Sequence, residues 1–261
     1  MADIHTMVDG RGLAAYGSPG AGLTVFWHHG TPGTGAPPPL TLPAGMRWAG
    51  VDRPSYGEST RLPGRSPADV ARDVAALADD WGLDSYAVIG YSGGGPHALA
   101  CAATDARVAW AVTVASLAPR EADGLDWFAG MIPSGVEALT AAAAGEDARR
   151  ALDDAAYDPE FTSRDLAALD GALSWLGQAP GAVDGPIDDD LAYVHDWGVD
   201  LGSIACPVTL MHGTADRIVP VTHGRWLREA IPHARLVELD GEGHVSALAA
   251  LPGVVASLED L

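Results

Sequence analysis

Gly90-Tyr91-Ser92-Gly93-Gly94 fits the pattern G-x-S-x-G and directly follows the apolar run Tyr86 to Ile89, with helix-like sequence beginning just after it. A serine at such a strand-to-helix turn is held in a strained backbone conformation, and the flanking glycines leave room for strand and helix to approach. Its hydroxyl is then presented at the carboxyl edge of a sheet. Because a serine hydroxyl is a weak nucleophile, it needs a base within hydrogen-bond reach, normally an oriented histidine. Nine histidines compete for that role. His244 lies in Gly241-Glu242-Gly243-His244, a turn after the last strand-like run, from which a side chain can reach across the sheet edge. His212 ends a strand-like run and is expected to face the core or its own loop, while His97 belongs to the helix after the serine turn.

A third group, a carboxylate, must fix the imidazole tautomer and stabilise its cation. Asp216, in the loop Gly213 to Pro220, is the first candidate, and Glu121, Asp123 and Asp126 offer an alternative acid position after an earlier strand. Ser92, Asp216 and His244 follow one another in an order compatible with a serine–acid–histidine relay on a parallel sheet. Acyl transfer develops negative charge on oxygen, which calls for two preorganised donors. The backbone N–H of Gly93 is one. The other is expected from Thr31, in the sharp turn His29-Gly30-Thr31-Pro32-Gly33.

Elements able to position these residues are legible along the chain. Strand-like runs occur at Leu23–His28, Met46–Val51, Tyr86–Gly90, Val108–Ala115, Val208–His212 and Ala234–Leu239, with helix-like sequence between them. Short apolar strands alternating with helices indicate a parallel sheet covered on both faces. Ser66 as N-cap with Pro67 at the first helical position opens a helix whose apolar side is Val70, Val74, Leu77, Ala78 and Trp81. The small, apolar run Pro96 to Ala103 reads as a helix buried beneath the site. From Arg120 to about Leu201 the strand rhythm stops and Ala- and Asp-rich helical pieces carry Trp127, Trp175 and Trp197. Residues 120–201 therefore read as a helical cap, inserted in a core built from 1–119 and 202–261.

Composition excludes several partners. Acids outnumber bases 35 to 15, giving a formal charge of −20, with acidic pairs such as Asp79-Asp80 and Asp153-Asp154. Such a surface repels phosphate backbones and anionic lipid, so neither nucleic acid nor membrane is expected as a partner. No apolar run is long enough to span a bilayer, and the first ten residues have no signal-peptide pattern, which gives a cytoplasmic expectation. The two cysteines, Cys101 and Cys206, lack metal-ligand spacing and are expected as buried thiols.

Five motifs in order resemble the α/β-hydrolase superfamily: His29–Gly33, Val51–Ser59, Gly90–Pro96, His212–Pro220 and Gly241–His244. The chain is most similar to bacterial serine hydrolases with a Ser-Gly-Gly-Gly-Pro elbow, in which Asp188–Leu191 and Trp197–Leu201 resemble the return from cap to core. Tyr91 stands where many such proteins carry histidine. The resemblance implies a mostly parallel sheet of about eight strands, no metal, no organic cofactor and an acyl-enzyme route. On that reading the substrate is a small molecule with an ester, lactone or thioester bond, uncharged or weakly charged. Pro32, Tyr91, Trp127, Met131, Trp175, Ile218 and Val245 are expected to line its pocket, with Phe128 and Ile132 adding apolar surface in the cap. Because the scaffold serves several chemistries, a lyase or cyclase using His244 as base and a ligand-binding protein with a vestigial triad remain alternatives.

Overall fold

A computed structural model describes residues 2–152, 156–178 and 183–258, so the acidic pair Asp153-Asp154 lies outside the described residues. Eight strands form one sheet: β1 (Asp3–Thr6), β2 (Gly12–Tyr16), β3 (Leu23–His28), β4 (Met46–Val51), β5 (Tyr86–Tyr91), β6 (Val108–Val114), β7 (Val208–Gly213) and β8 (Ala234–Leu239). Their order is β1-β2-β4-β3-β5-β6-β7-β8. β1 and β2 pair antiparallel, as do β2 and β4, and every later pairing is parallel. β1 and β2 escape a reading by apolar runs for a physical reason. β1 is largely exposed and polar, and β2 is built on Gly and Ala, which carry little strand preference.

The helices are α1 (Pro67–Asp80), α2 (Gly95–Thr104), α3 (Pro133–Ala144), α4 (Glu146–Arg150), α5 (Ser163–Asp170), α6 (Asp184–Val194), α7 (Val221–Ala230) and α8 (Leu251–Ala256). α1 begins where the sequence predicts: Ser66 and Asp69 form a reciprocal capping box with Pro67 in the first turn. Its Val70, Val74, Leu77, Ala78 and Trp81 are all buried. Alternation along the central strands sends Phe26 and Val88 into one core layer and Val25, Trp27, Ala87 and Ile89 into another, so both faces are covered. A third cluster, including Leu117, Met131, Leu139, Ile187 and Leu191, lies largely among α3 to α6, which occupy the chain between β6 and β7.

Cys101 and Cys206 are both free, but only Cys101 is buried; Cys206 is partly exposed because it sits in the loop entering β7. Among the described residues no helix is long and apolar enough to cross a membrane.

Candidate active site

β5 ends at Tyr91, and Ser92 sits at a positive φ of 52° before the chain enters α2. For a non-glycine residue this left-handed backbone costs of the order of 1–2 kcal/mol, a cost held in place by the packing around the turn. Gly90 and Gly94 permit it. A Cβ at Gly90 would collide with the backbone of Gly94 and Gly95, and one at Gly94 with the His28 and His29 carbonyls. α2 lies directly beneath, with Gly95 to Ala102 buried on every side.

Ser92 Oγ stands 2.8 Å from His244 Nε2, and His244 Nδ1 stands 2.8 Å from Asp216 Oδ2. An ionised carboxylate can only accept, so the Nδ1 proton points to Asp216 and Nε2 is left to accept from the serine. Asp216 is buried in its loop after β7, where Oδ1 accepts the backbone N–H groups of Ile218 and Val219, each at 2.9 Å. Burial alone would raise its pKa, but His244 and His212 hold the carboxyl below the usual range. His212 Nε2 lies 2.7 Å from the Val219 carbonyl, to which it must donate, and 3.5 Å from Asp216 Oδ2. It thus braces the acid loop from the core side. Glu121, Asp123 and Asp126, the alternative acids, are exposed, and Asp216 is the carboxylate hydrogen-bonded to His244.

The loop carrying His244 is itself gripped from the helices between β6 and β7. Asp165, in the first turn of α5, accepts the backbone N–H groups of Val245 and Ser246 through Oδ1, each at 2.8 Å. Its other oxygen accepts from the Thr162 N–H and hydroxyl.

Two cavities meet at Ser92. One, of about 640 Å³, is lined by Trp27, the 29–34 turn, Tyr91, Phe161, Trp175, Leu176, Ile218, His244 and Val245, and no Asp, Glu, Lys or Arg is among its described lining residues. The other, of about 340 Å³, runs past Thr31, Gly93, Leu117, Met131, Leu139, Tyr193 and Val219. Its charged lining residues are Arg149 and Asp190, paired at 2.6 Å. Pro32, Tyr157 and Ile218 line both. Of the residues expected at the pocket, Pro32, Tyr91, Met131, Trp175, Ile218 and Val245 therefore line one or both cavities. Trp127 lines neither: its indole is buried, donating to the Ala118 carbonyl at 2.8 Å and packing edge-on to His223 and Phe128. Phe128 and Ile132 are likewise absent from both walls. An apolar side chain in the stretch between β6 and β7 has two outlets, pocket or packing, and these three take the second.

Thr31 and Gly93, the expected oxyanion donors, share the wall of the smaller cavity with Ser92. What holds them was not legible as a site in the sequence. Asp189 of α6 is fully buried, and its carboxylate accepts from Arg53 Nε (3.1 Å), Arg53 Nη2 (2.6 Å), Arg65 Nη2 (2.5 Å), Tyr56 Oη (2.7 Å) and Thr31 Oγ1 (2.5 Å). Arg53 also donates to the His29 carbonyl at 2.5 Å and the Gly30 carbonyl at 3.2 Å. Despite its burial, the two guanidinium groups hold the Asp189 carboxyl well below the usual carboxylate range. The neighbours of Asp189 in the sequence take other arginines: Asp188 pairs with Arg61 at 2.8 Å, and Asp190 with Arg149. Three consecutive acids in a helix buried nearly all round were the available signal, because such acids must find cations.

Around the same arginine lie three buried histidines. Burial, aided by the nearby positive charge of Arg53, pushes the pKa of His28 and His29 well below the ordinary value, and burial takes His97 down to about 3. These rings stay neutral in the fold but gain protons once unfolded, near pH 6.5. Their contribution is complete above that pH and is lost as pH falls toward the folded values, at about 1.4 kcal/mol per pH unit for each ring. The urea midpoint is therefore expected to fall between pH 7.5 and 5.0; equal midpoints would contradict neutral burial.

Comparison with known proteins agrees with this architecture. A family described as the alpha/beta hydrolase fold matches residues 24–250. The chain is 28% identical over 235 residues to a pimeloyl-[acyl-carrier protein] methyl ester esterase of Aromatoleum aromaticum, covering 84% of this chain and 89% of that one. It is 29% identical to a protein of the same name from Chromobacterium violaceum, covering 76% of each. Among solved structures, the enol-lactonase of Burkholderia xenovorans LB400 superposes with a TM-score of 0.69 at 21% identity, over 99% of this chain and 98% of that one.

Proposed function

The chain belongs to the α/β-hydrolase family, and from that premise we propose that it is a serine hydrolase cleaving an ester, lactone or thioester bond of a small, uncharged molecule. The observation that carries the reading is the Ser92–His244–Asp216 relay, with both contacts at 2.8 Å, opening onto cavities whose walls are mostly apolar. Ser92 Oγ attacks the substrate carbonyl while His244 Nε2 takes its proton, and Asp216 stabilises the imidazolium so formed. The carbonyl oxygen becomes an oxyanion facing the backbone N–H groups of Thr31 and Gly93. Collapse breaks the bond to the leaving oxygen or sulfur, which takes the proton from His244 and departs. Water, deprotonated by His244, then attacks the acyl-enzyme, releasing the acid and returning the proton to Ser92. The helices within 120–201 act as a cap that sets which acyl and leaving groups reach the serine.

The two curated relatives are named for a methyl ester, which makes an ester of a small alcohol the first substrate to test. A fluorophosphonate is expected to label the protein once, on the peptide carrying Ser92. Labelling of a different serine would overturn the site. The charge of the walls gives a second expectation. The larger cavity offers no formal charge to a substrate anion, and the −20 of the chain opposes its approach. A neutral p-nitrophenyl ester is expected to surpass an equally long carboxylate-bearing one by about tenfold or more in kcat/KM, since stranding one charge costs at least 1.4 kcal/mol. A preference for the anionic ester would remove the claim of an uncharged substrate.

A further inference from the structure

The expected oxyanion donors come from two separate turns, one after β3 and one after β5, and both are tied to the same helix of the insertion. The Tyr193 hydroxyl of α6 lies 2.9 Å from the Gly93 carbonyl and 2.7 Å from Thr31 Oγ1, and Thr31 Oγ1 in turn donates to Asp189 Oδ2. A Cβ added to Gly93 would collide with Tyr193 Oη and Thr31 Oγ1, so the three groups are in close contact. Tyr193 is buried, as is Asp189 one turn before it.

We propose that Tyr193 and Asp189 are positioning residues that set the separation and aim of the Thr31 and Gly93 amides, using the Thr31 hydroxyl as the link. This rests on the reading of Ser92 as the nucleophile and adds to it a device outside the triad.

The hydrogen inventory supports a coupled rather than a merely packed arrangement. Asp189 can only accept, so the Thr31 proton goes to it. The single Tyr193 proton is then divided between the Gly93 carbonyl and Thr31 Oγ1, linking the two turns through one atom. Arg53 holds the remaining freedom of the first turn through the His29 and Gly30 carbonyls. An oxyanion donor is useful only within a few tenths of an ångström of its place, since it must meet the charge that forms rather than the ground-state carbonyl. Losing the shared hydroxyl leaves both amides present but imperfectly aimed. The damage should therefore fall on the transition state and spare ground-state binding.

The test uses Tyr193→Phe, Thr31→Val and Thr31→Ser on the full chain, with a neutral p-nitrophenyl ester and active sites counted by fluorophosphonate. Tyr193→Phe and Thr31→Val each remove one hydroxyl and leave the backbone amides in place. Each is expected to lower kcat per titrated site by about 10- to 100-fold, less than or comparable to the loss of a whole donor, with KM within about twofold. Thr31→Ser, which keeps the hydroxyl, is expected to retain most of the rate. A trifluoromethyl ketone, which forms a tetrahedral adduct, should lose affinity in step with kcat/KM. Wild-type kcat per site in both Tyr193→Phe and Thr31→Val would overturn the proposal, as would a rise in KM at constant kcat or equal loss in Thr31→Ser and Thr31→Val. If Ser92→Ala keeps the wild-type rate, the reading of the nucleophile fails first. With Ser92→Ala inactive and the hydroxyl variants unchanged, only the present inference fails.

Discussion

Ser92→Ala is expected to lower turnover of short p-nitrophenyl esters by at least about 10⁴-fold while leaving the fold intact. The magnitude follows from what the hydroxyl does: without it there is no acyl-enzyme, and only binding and the oxyanion donors act on a water attack. The substitution also tests the backbone. Ser92 holds φ at 52° because β5 must turn into α2 within a residue or two, and alanine adopts that region no more readily than serine does. Stability should therefore change little, whereas fluorophosphonate labelling should vanish. Retention of the wild-type rate by pure Ser92→Ala protein would end the case for a serine hydrolase. It would return attention to chemistry that uses His244 alone.

Asp189→Ala is expected to have the largest effect on stability, about 3–5 kcal/mol, read as a lower urea midpoint. Arg53 and Arg65 have fully buried side chains and both donate to Asp189. Removing the acceptor strands two guanidinium groups out of water, the situation in which breaking a buried pair is most damaging. The hydroxyls of Tyr56 and Thr31 lose the same acceptor. By contrast, Asp79 pairs with Arg107 where the acid is 71% exposed, and Asp79→Ala should leave the midpoint almost unmoved. Equal effects of the two substitutions would mean that the buried network carries no special weight.

The difference between these residues also explains what could be read from the chain alone. Ser92 and the six strands from β3 onward are announced by local patterns: an apolar run, glycines around a serine, turn residues after a strand. His244 and Asp216 each stand in a loop whose sequence marks it as a turn, and chain order is enough to bring them into the same frame. The only local mark of Asp189 is its place in the run Asp188-Asp189-Asp190, which names no partner. Its partners are residues 31, 53, 56 and 65, all more than 120 positions earlier, and only the docking of α6 against the core brings them together. Trp127 and Trp175 show the same limit from the apolar side. Both are aromatics of one Ala- and Asp-rich stretch, yet Trp127, in the turns before α3, packs on His223, and Trp175, in a short helical turn after α5, lines the larger cavity. Period and composition place a side chain on an element, whereas its outlook depends on the neighbour that element meets.

Asp165 reaches from α5 to the two amides that follow His244, while α6 grips the turns that carry Thr31 and Gly93. A helical segment between β6 and β7 anchored at both of these points is a poor candidate for wholesale exchange. Grafting a foreign segment between β6 and β7 to obtain a new specificity would disarm the enzyme unless the graft reproduced both grips. Changes confined to the cavity-wall residues Ala138, Leu139, Phe161, Leu169, Trp175 and Leu176 leave those anchors alone. Directed evolution of this scaffold should thus gather its tolerated substitutions there, and find almost none at 165, 189 and 193.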